Sequence, residues 1–254
     1  MPIANSDIVI YGSATMPNDD VATNIGGAID TATRIEFADI VATDQVEALS
    51  SNAADTSQTL TVYGRNQAGE IISEGIVLTG TTPITFTNTF ERILRITLSA
   101  ACAGTVTVRD QDTDTTITAM EAGITQIRRP FYDAAADVSG GSARDYYEKV
   151  FIKNTHGSLT LTNATVSEQA DPSGKVTFAL ESSLDGSDTN GAGNNRQTVG
   201  DLSGYTFDSN AKNVANSQNL TAGSGQGVWL KLSLAAGDAA NNTTYTLRTV
   251  GTSV

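Results

Sequence analysis

The sequence has little of what enzymes and disulfide-bonded domains are built from. Its 254 residues include one cysteine, Cys102, and one histidine, His156. A lone cysteine excludes an intrachain disulfide, and one residue of each kind cannot supply the several ligands of a zinc site. His156 lies in a turn-like Asn-Thr-His-Gly-Ser segment, and no Gly-x-Ser-x-Gly nucleophile motif occurs. The apolar context of Cys102 is typical of a small buried side chain. We therefore expect no catalytic residue, no metal and no cofactor.

Basic residues and long apolar runs are also scarce. Fifteen lysines and arginines stand against 28 aspartates and glutamates, which gives a net charge of −13 and a pI near 4.3. A surface of this kind repels phosphate backbones and anionic lipid headgroups, so we expect neither nucleic acid nor membrane as a partner. No apolar run reaches the length of a membrane span, and the N-terminus does not resemble a secretory signal. These features predict a soluble protein made in the cytoplasm of its host.

What the sequence does contain is alternation of apolar and polar residues at the period of a β-strand. Between Arg92 and Leu98, for example, apolar side chains at 94, 96 and 98 alternate with polar ones. Asp44 to Leu49 gives at most a turn or two of helix, and no longer segment has helical spacing. The pattern predicts an all-β chain with strands at residues 8–11, 34–40, 60–63, 71–78, 83–86, 92–98, 105–109, 149–153, 159–162, 175–180, 228–234 and 244–248.

Two pairs of strands resemble each other. Residues 94–98 lead through a small-residue turn to 106–109, and residues 230–234 lead in the same way to 245–248. This likeness favours a duplicated β-sandwich, although the strand patterning common to all β proteins would produce it too. We predict two β-sandwich-like domains joined by a short linker. Their bounds are residues 1–127 for the N-terminal domain, 128–145 for the linker and 146–254 for the C-terminal domain.

The C-terminal domain contains a long loop rich in Gly, Asn and Ser, at residues 185–222. Loops longer than about 15 residues are uncommon in compact domains. Two interpretations remain open: a surface insertion without fixed contacts, or a segment ordered against another subunit through Leu202, Tyr205 and Phe207. Alternation places Trp229, which follows this loop, on the outer face of its strand.

The predicted linker begins with arginines and aromatics in an otherwise acidic chain. These residue types are enriched at protein–protein contacts. Packing of the linker on its own chain would use the same types, so both interpretations stay open. The candidates for a subunit contact are Arg128, Arg129, Phe131, Tyr132 and Tyr146. Ile3 is a further candidate, as part of an extended arm over residues 3–6 that is free to reach a neighbour.

One acidic segment has the spacing of a calcium loop. Asp110, Asp112, Asp114 and Glu121 occupy its first, third, fifth and twelfth positions. Thr115 stands where the sharp turn of such a loop needs glycine, and the flanking residues are strand-like rather than helical. The prediction is a solvated hairpin turn, with any cation only loosely held.

The chain resembles the auxiliary head proteins of tailed bacteriophages, known as cement or decoration proteins. The likeness rests on Ile8-Val9-Ile10-Tyr11-Gly12-Ser13-Ala14, on Gly26-Gly27-Ala28-Ile29-Asp30 and on the Ala-, Asn- and Thr-rich tail at 234–245. Such proteins are β-rich and poor in Cys and His. They assemble as trimers on the outside of the capsid.

The resemblance implies a virion structural protein that binds the outer capsid surface and stabilises contacts between major capsid subunits. It implies the major capsid protein as partner and a homotrimer as assembly, and it assigns no functional residue. The alternatives are a tail or head-fibre component, and a carbohydrate-binding or adhesin module.

Overall fold

The computed structural model describes residues 2–17, 24–36, 40, 42–131, 141–238 and 243–254. Strands make up 52% of the protein and helix 3%, which confirms the all-β prediction. No helix within these ranges is long and apolar enough to cross a membrane. In chain order the strands are β1 (Ile8–Thr15), β2 (Gly26–Arg34), β3 (Asp44–Ser50), β4 (Thr59–Arg65), β5 (Ile71–Val77), β6 (Ile84–Phe90), β7 (Arg92–Leu98), β8 (Val106–Asp110), β9 (Thr116–Met120), β10 (Gln126–Arg128), β11 (Arg144–Asn154), β12 (Leu161–Ala170), β13 (Val176–Leu184), β14 (Lys212–Asn213), β15 (Gly225–Leu234) and β16 (Thr246–Ser253).

The chain forms two compact units. Thr31–Pro130 form one, here called the inserted unit, and Met1–Asp30 with Phe131–Val254 form the other, the terminal unit. The second boundary falls within the predicted linker at 128–145. The first 30 residues, however, group with the C-terminal half rather than with the predicted N-terminal domain. The reason is backbone pairing: β1 lies antiparallel to β11, from Ile8 opposite Asn154 to Gly12 opposite Val150.

The inserted unit has strands in two sheets. One runs β10-β7-β4-β5, with the end of β2 parallel to β10, and the other runs β6-β3-β8-β9. The alternation of apolar and polar residues in the sequence corresponds to burial in the structure: β4 and β8 bury every second residue. Leu60 and Val62 on β4 and Val106 and Val108 on β8 are fully buried. Burial of apolar side chains from both sheets gives this unit its own core.

The terminal unit also has strands in two sheets. One runs β13-β15-β11-β1-β2 and the other β14-β12-β16. Its central ladder joins β11 to β15, from Arg144 opposite Leu234 to Lys153 opposite Gly225. The side chains of β15 from Gly225 to Leu230 are buried in succession, on both faces of the sheet. One face of this sheet is covered by the long loop.

Corresponding strands pair alike in the two units. In the inserted unit β4 pairs with β7, and β3 pairs with both β6 and β8. In the terminal unit β13 pairs with β15, and β12 pairs with both β14 and β16. The matched sequence segments β7–β8 and β15–β16 each cross from one sheet to the other, so neither pair is a hairpin. This agreement favours duplication over a general likeness of strand pattern.

Two local predictions are wrong. The segment at residues 44–49, for which the sequence allows at most a turn or two of helix, lies in strand β3, because pairing with β6 and β8 buries Val46 and Ala48. The strand predicted at residues 34–40 shares only Arg34 with β2, which spans Gly26–Arg34, and Ile35, Glu36 and Ile40 are not in a strand. Residues 37–39 lie outside the described ranges.

Candidate functional site

Two of the predicted contact residues are interior side chains. Arg128, on β10, is 1% exposed, and Tyr146, on β11, is fully buried. Arg129 is half-buried, and its Nε donates a hydrogen bond to the carbonyl of Ile93 at 2.8 Å. These positions agree with packing on the protein's own chain, which was the second interpretation of this cluster.

The remaining predicted contact residues also have partners within the chain. Phe131 is half-buried with a φ of 55°, and it packs against the buried pair Tyr146 and Leu234. Ile3 donates its backbone N–H to Ser253 Oγ at 3.1 Å, and Asn5–Asp7 form a 3₁₀ turn. The prediction of a free, extended arm at residues 3–6 is therefore wrong. Tyr132 lies outside the described residues.

A buried ion pair that the sequence did not single out lies in the terminal unit. The side chains of Lys149 on β11 and Glu181 on β13 are 0% and 1% exposed, and Lys149 Nζ lies 2.5 Å from Glu181 Oε1. Lys149 also donates to the carbonyl oxygens of Gly27 at 2.7 Å, Asp188 at 3.1 Å and Gly186 at 3.3 Å. The ammonium group is thus enclosed by oxygen acceptors, as a buried charge requires.

The two carboxylate oxygens of Glu181 have different surroundings. Oε1 accepts from Lys149 and from the backbone N–H of Asp188 at 3.0 Å, whereas Oε2 is buried without a hydrogen-bond partner. Burial lowers the pKa of Lys149 and raises that of Glu181, while their mutual hydrogen bond opposes both changes. An unpartnered buried carboxylate oxygen is costly, and Oε2 is one of the buried polar atoms of this unit without a hydrogen-bond partner.

The long loop covers the sheet face on which this pair lies. Leu202 joins a buried cluster with Ile25, Tyr147, Ala179 and Trp229, and Tyr205 and Phe207 pack against it. Asn190 is fully buried and accepts a hydrogen bond from the backbone of Ile25 at 2.9 Å. The loop is therefore held by its own chain, which differs from both interpretations offered for it. Trp229 is fully buried beneath it, so the predicted outward position is wrong.

A cavity of about 550 Å³ with polar and apolar lining opens at the edge of β13 beside the ion pair. The lining residues used below are Leu180, Glu181, Asp188, Tyr205 and Lys212. The Tyr205 hydroxyl is bonded to the Asp188 carboxylate, and burial together with that bond raises the pKa of the tyrosine. Lys212 lies 2.5 Å from Asp208. The cavity thus combines carboxylates, an aromatic ring and one ammonium group already paired.

A second cavity of about 470 Å³ lies in the same unit. Its lining includes the apolar side chains of Ile8, Ile152, Leu247 and Val250. Val250 on β16 is 38% exposed. Within the described residues β16 pairs only with β12, so its other backbone edge is open.

The two motifs considered for chemistry have local structural roles. Asp110 is 2% exposed and accepts from the backbone and hydroxyl of Thr113, and Asp114 pairs with Arg109 at 3.0 Å. His156 Nδ1 accepts two backbone N–H groups in a turn. Among the described residues no group of three or more His, Cys, Asp or Glu side chains is placed to hold a metal ion.

Lys149, Glu181 and Asp188 were missed in the sequence, although one signal for Lys149 was present. Tyr147, Lys149 and Phe151 alternate along β11, so a lysine stands at a position that the pattern assigns to the core. Comparison with protein-family models, curated proteins and solved structures finds no match for this chain.

Proposed function

We propose that this protein is a structural component of a phage virion. It binds the outside of the capsid and stabilises contacts between major capsid subunits, with two sandwich-like domains as its framework and a homotrimer as its assembly. The proposal starts from the resemblance of the chain to decoration proteins. The observation that supports it in the structure is the cavity beside the open edge of β13.

An open strand edge suits docking between proteins. Its unpaired N–H and C=O groups accept an extended segment of another chain as an added strand. In the described residues β13 ends its sheet and β16 ends the other sheet of the same unit. A protein that holds capsid subunits together needs several modest contacts repeated over many copies, since such contacts multiply in strength. Two open edges in one unit provide them.

The charge of the chain also supports this location. A net charge of −13 disfavours binding to packaged DNA, so the protein would stay on the outer surface during genome packaging. It also favours a partner with basic side chains at the contact, because opposite charges steer association.

The test compares phage heads with and without the purified protein. We expect the protein to co-sediment with heads and to raise their survival after heating or osmotic shock. Asp188→Asn, which removes an exposed carboxylate of the cavity, is expected to weaken attachment, whereas Asp112→Asn in the inserted unit is the matched control. Equal survival with and without the protein would contradict the proposal, and micrographs that place it on the tail would favour a tail or head-fibre component.

A further inference from the structure

The edge of β13 beside the cavity is paired at one point and then open. Phe178 and Asp208 exchange both backbone hydrogen bonds, at 3.1 and 3.3 Å. Backbone groups of a strand alternate in direction with a period of two, so those of Leu180 point the same way as those of Phe178. Leu180 lines the cavity, and within the described residues no strand pairs with it on that side. The cavity therefore has room for a strand that continues the pairing begun by Asp208.

The charge beside this edge is negative. Glu181, Asp188 and Asp208 supply three carboxylates, against the two ammonium groups of Lys149 and Lys212. Glu181 is 2% exposed, lines the cavity, and holds an Oε2 without a hydrogen-bond partner. A carboxylate oxygen can only accept hydrogen bonds. One negative charge in excess, together with the exposed carboxylate of Asp188 at the cavity, favours a cationic donor.

We propose that the cavity binds an extended segment of a partner protein, which pairs its backbone with Leu180 and directs an arginine or lysine side chain towards the exposed Asp188 carboxylate. This proposal rests on the proposed role in capsid binding, because it names the chemistry of the segment that the partner supplies. Backbone pairing fixes the direction of the segment, and the Asp188 carboxylate selects its basic side chain. The residues involved all belong to one unit of one chain.

The test uses the full-length protein and synthetic peptides. One probe is acetyl-Thr-Val-Arg-Val-Thr-amide, and its matched control carries citrulline, a neutral side chain of the same shape, in place of arginine. We expect the arginine peptide to bind at least about tenfold more tightly by calorimetry, since hydrogen bonds to charged groups are the strong ones. In amide NMR spectra its binding should shift the signals of Leu180 and Glu181.

Protein variants separate charge from folding. Asp188→Asn keeps the side-chain shape and should lower affinity for the arginine peptide about tenfold. Asp188 is exposed, so its replacement leaves the buried pair intact. Asp112→Asn, in the inserted unit, should bind the peptide like the natural protein.

Three outcomes would overturn the inference. They are equal affinity for the arginine and citrulline peptides, no measurable binding of either, and binding of maltose in place of the peptides, which would indicate a carbohydrate site. The experiments distinguish failure of this inference from failure of the proposed capsid role. If the protein stabilises heads but binds neither peptide, only this inference is refuted. If the protein binds the arginine peptide but does not attach to heads, only the capsid role is refuted.

Discussion

Replacing Lys149 by methionine would show how strongly the buried ion pair supports the terminal unit. Methionine keeps most of the length of the side chain but removes the charge that lies 2.5 Å from Glu181 Oε1. The Glu181 carboxylate, 1% exposed, would then lack a counter-charge. Removal of one partner from a buried pair costs about 3–5 kcal/mol, out of a total stability of about 5–15 kcal/mol for a typical protein.

The loss should depend on pH, with a sign set by Glu181. Burial already raises the pKa of Glu181, and Lys149 is the group that opposes this rise. A carboxyl whose folded pKa lies above its unfolded pKa loses its stabilising contribution as the pH rises through the folded value. Without Lys149 the effect of burial on the Glu181 carboxyl is no longer opposed by the lysine, so the folded pKa rises further above the unfolded value. Lys149→Met should therefore be closest to the natural protein at acidic pH and lose stability progressively as the pH rises to neutral.

Trp229 provides the assay. It is the single tryptophan of the chain, it is fully buried in the terminal unit, and its ring lies 5.6 Å from Lys149 Nζ. Urea unfolding followed by its fluorescence, at pH values from 4 to 8, thus measures the free energy of unfolding of this unit. Lys231→Met is the matched control, because the side chain of Lys231 is 26% exposed in its pair with Asp145 and should contribute about 1 kcal/mol or less.

A double variant completes the test. Lys149→Met with Glu181→Met replaces the pair by apolar side chains of similar length and should recover most of the lost stability, as buried pairs elsewhere do. A loss below about 1 kcal/mol for Lys149→Met at pH 7, or the same loss at pH 4 and pH 7, would refute the assigned role of the pair.

Three further predictions concern packing and titration. Gly227→Ala should lower the melting temperature sharply, because the new Cβ would overlap the Glu181 carboxylate, whereas Gly157→Ala has nothing within 4 Å and should change little. Cys102 is 7% exposed and burial raises the pKa of its thiol, so a disulfide reagent should label it only when the inserted unit unfolds; rapid labelling of the native protein would contradict this. Hydrogen bonds from a serine hydroxyl and two backbone amides lower the pKa of Asp55, so its contribution to stability is lost as the pH falls through that lowered value. Asp55→Asn should therefore flatten the acid dependence of Cys102 labelling below about pH 4, and an unchanged profile would count against it.

Alternation in the sequence predicted individual strands well where one face is buried and the other is exposed. β7 has the predicted bounds of Arg92–Leu98, and β8 begins one residue after the predicted start at 105. β8 buries every second residue, and β7 does so from Leu94 to Leu98. The physical cause is the two-residue period of side chains along a strand, which is a local property and can be read locally.

Pairing between distant segments could not be read in the same way. β1 joins β11 across more than 130 residues, and this pairing moves the first 30 residues into the terminal unit. β3 was missed because its sequence, Asp-Gln-Val-Glu-Ala-Leu-Ser, has the composition of a helix. Its neighbours β6 and β8 make it a strand, and tertiary context overrides local propensity here.

The sequence contains a signal for one residue of the candidate site, Lys149, but not for its partner. A lysine between Tyr147 and Phe151 at a core-facing position implies a buried acidic partner, because a lone buried ammonium is prohibitively costly. The sequence alone does not identify that partner, because the chain has 28 acidic residues and Glu181 is 32 positions away from Lys149. Only the register that places β15 between β11 and β13 brings the two together.

The glycines near the Lys149–Glu181 pair have a steric role that explains the glycine content of the long loop and of β15. Gly227 lies in a glycine-rich stretch without the lysine of a phosphate-binding loop. Its role is steric: a Cβ at Gly227 would lie 2.6 Å from Glu181 Cδ, and one at Gly186 would lie 2.6 Å from Glu181 Oε2. A Cβ at Gly26 would meet the Trp229 ring at 2.7 Å. The missing side chains at Gly227 and Gly186 leave the space that the Glu181 carboxylate occupies. A larger residue at position 227 would displace the Glu181 carboxylate from Lys149. The glycine at 227 and the Lys149–Glu181 pair therefore depend on each other.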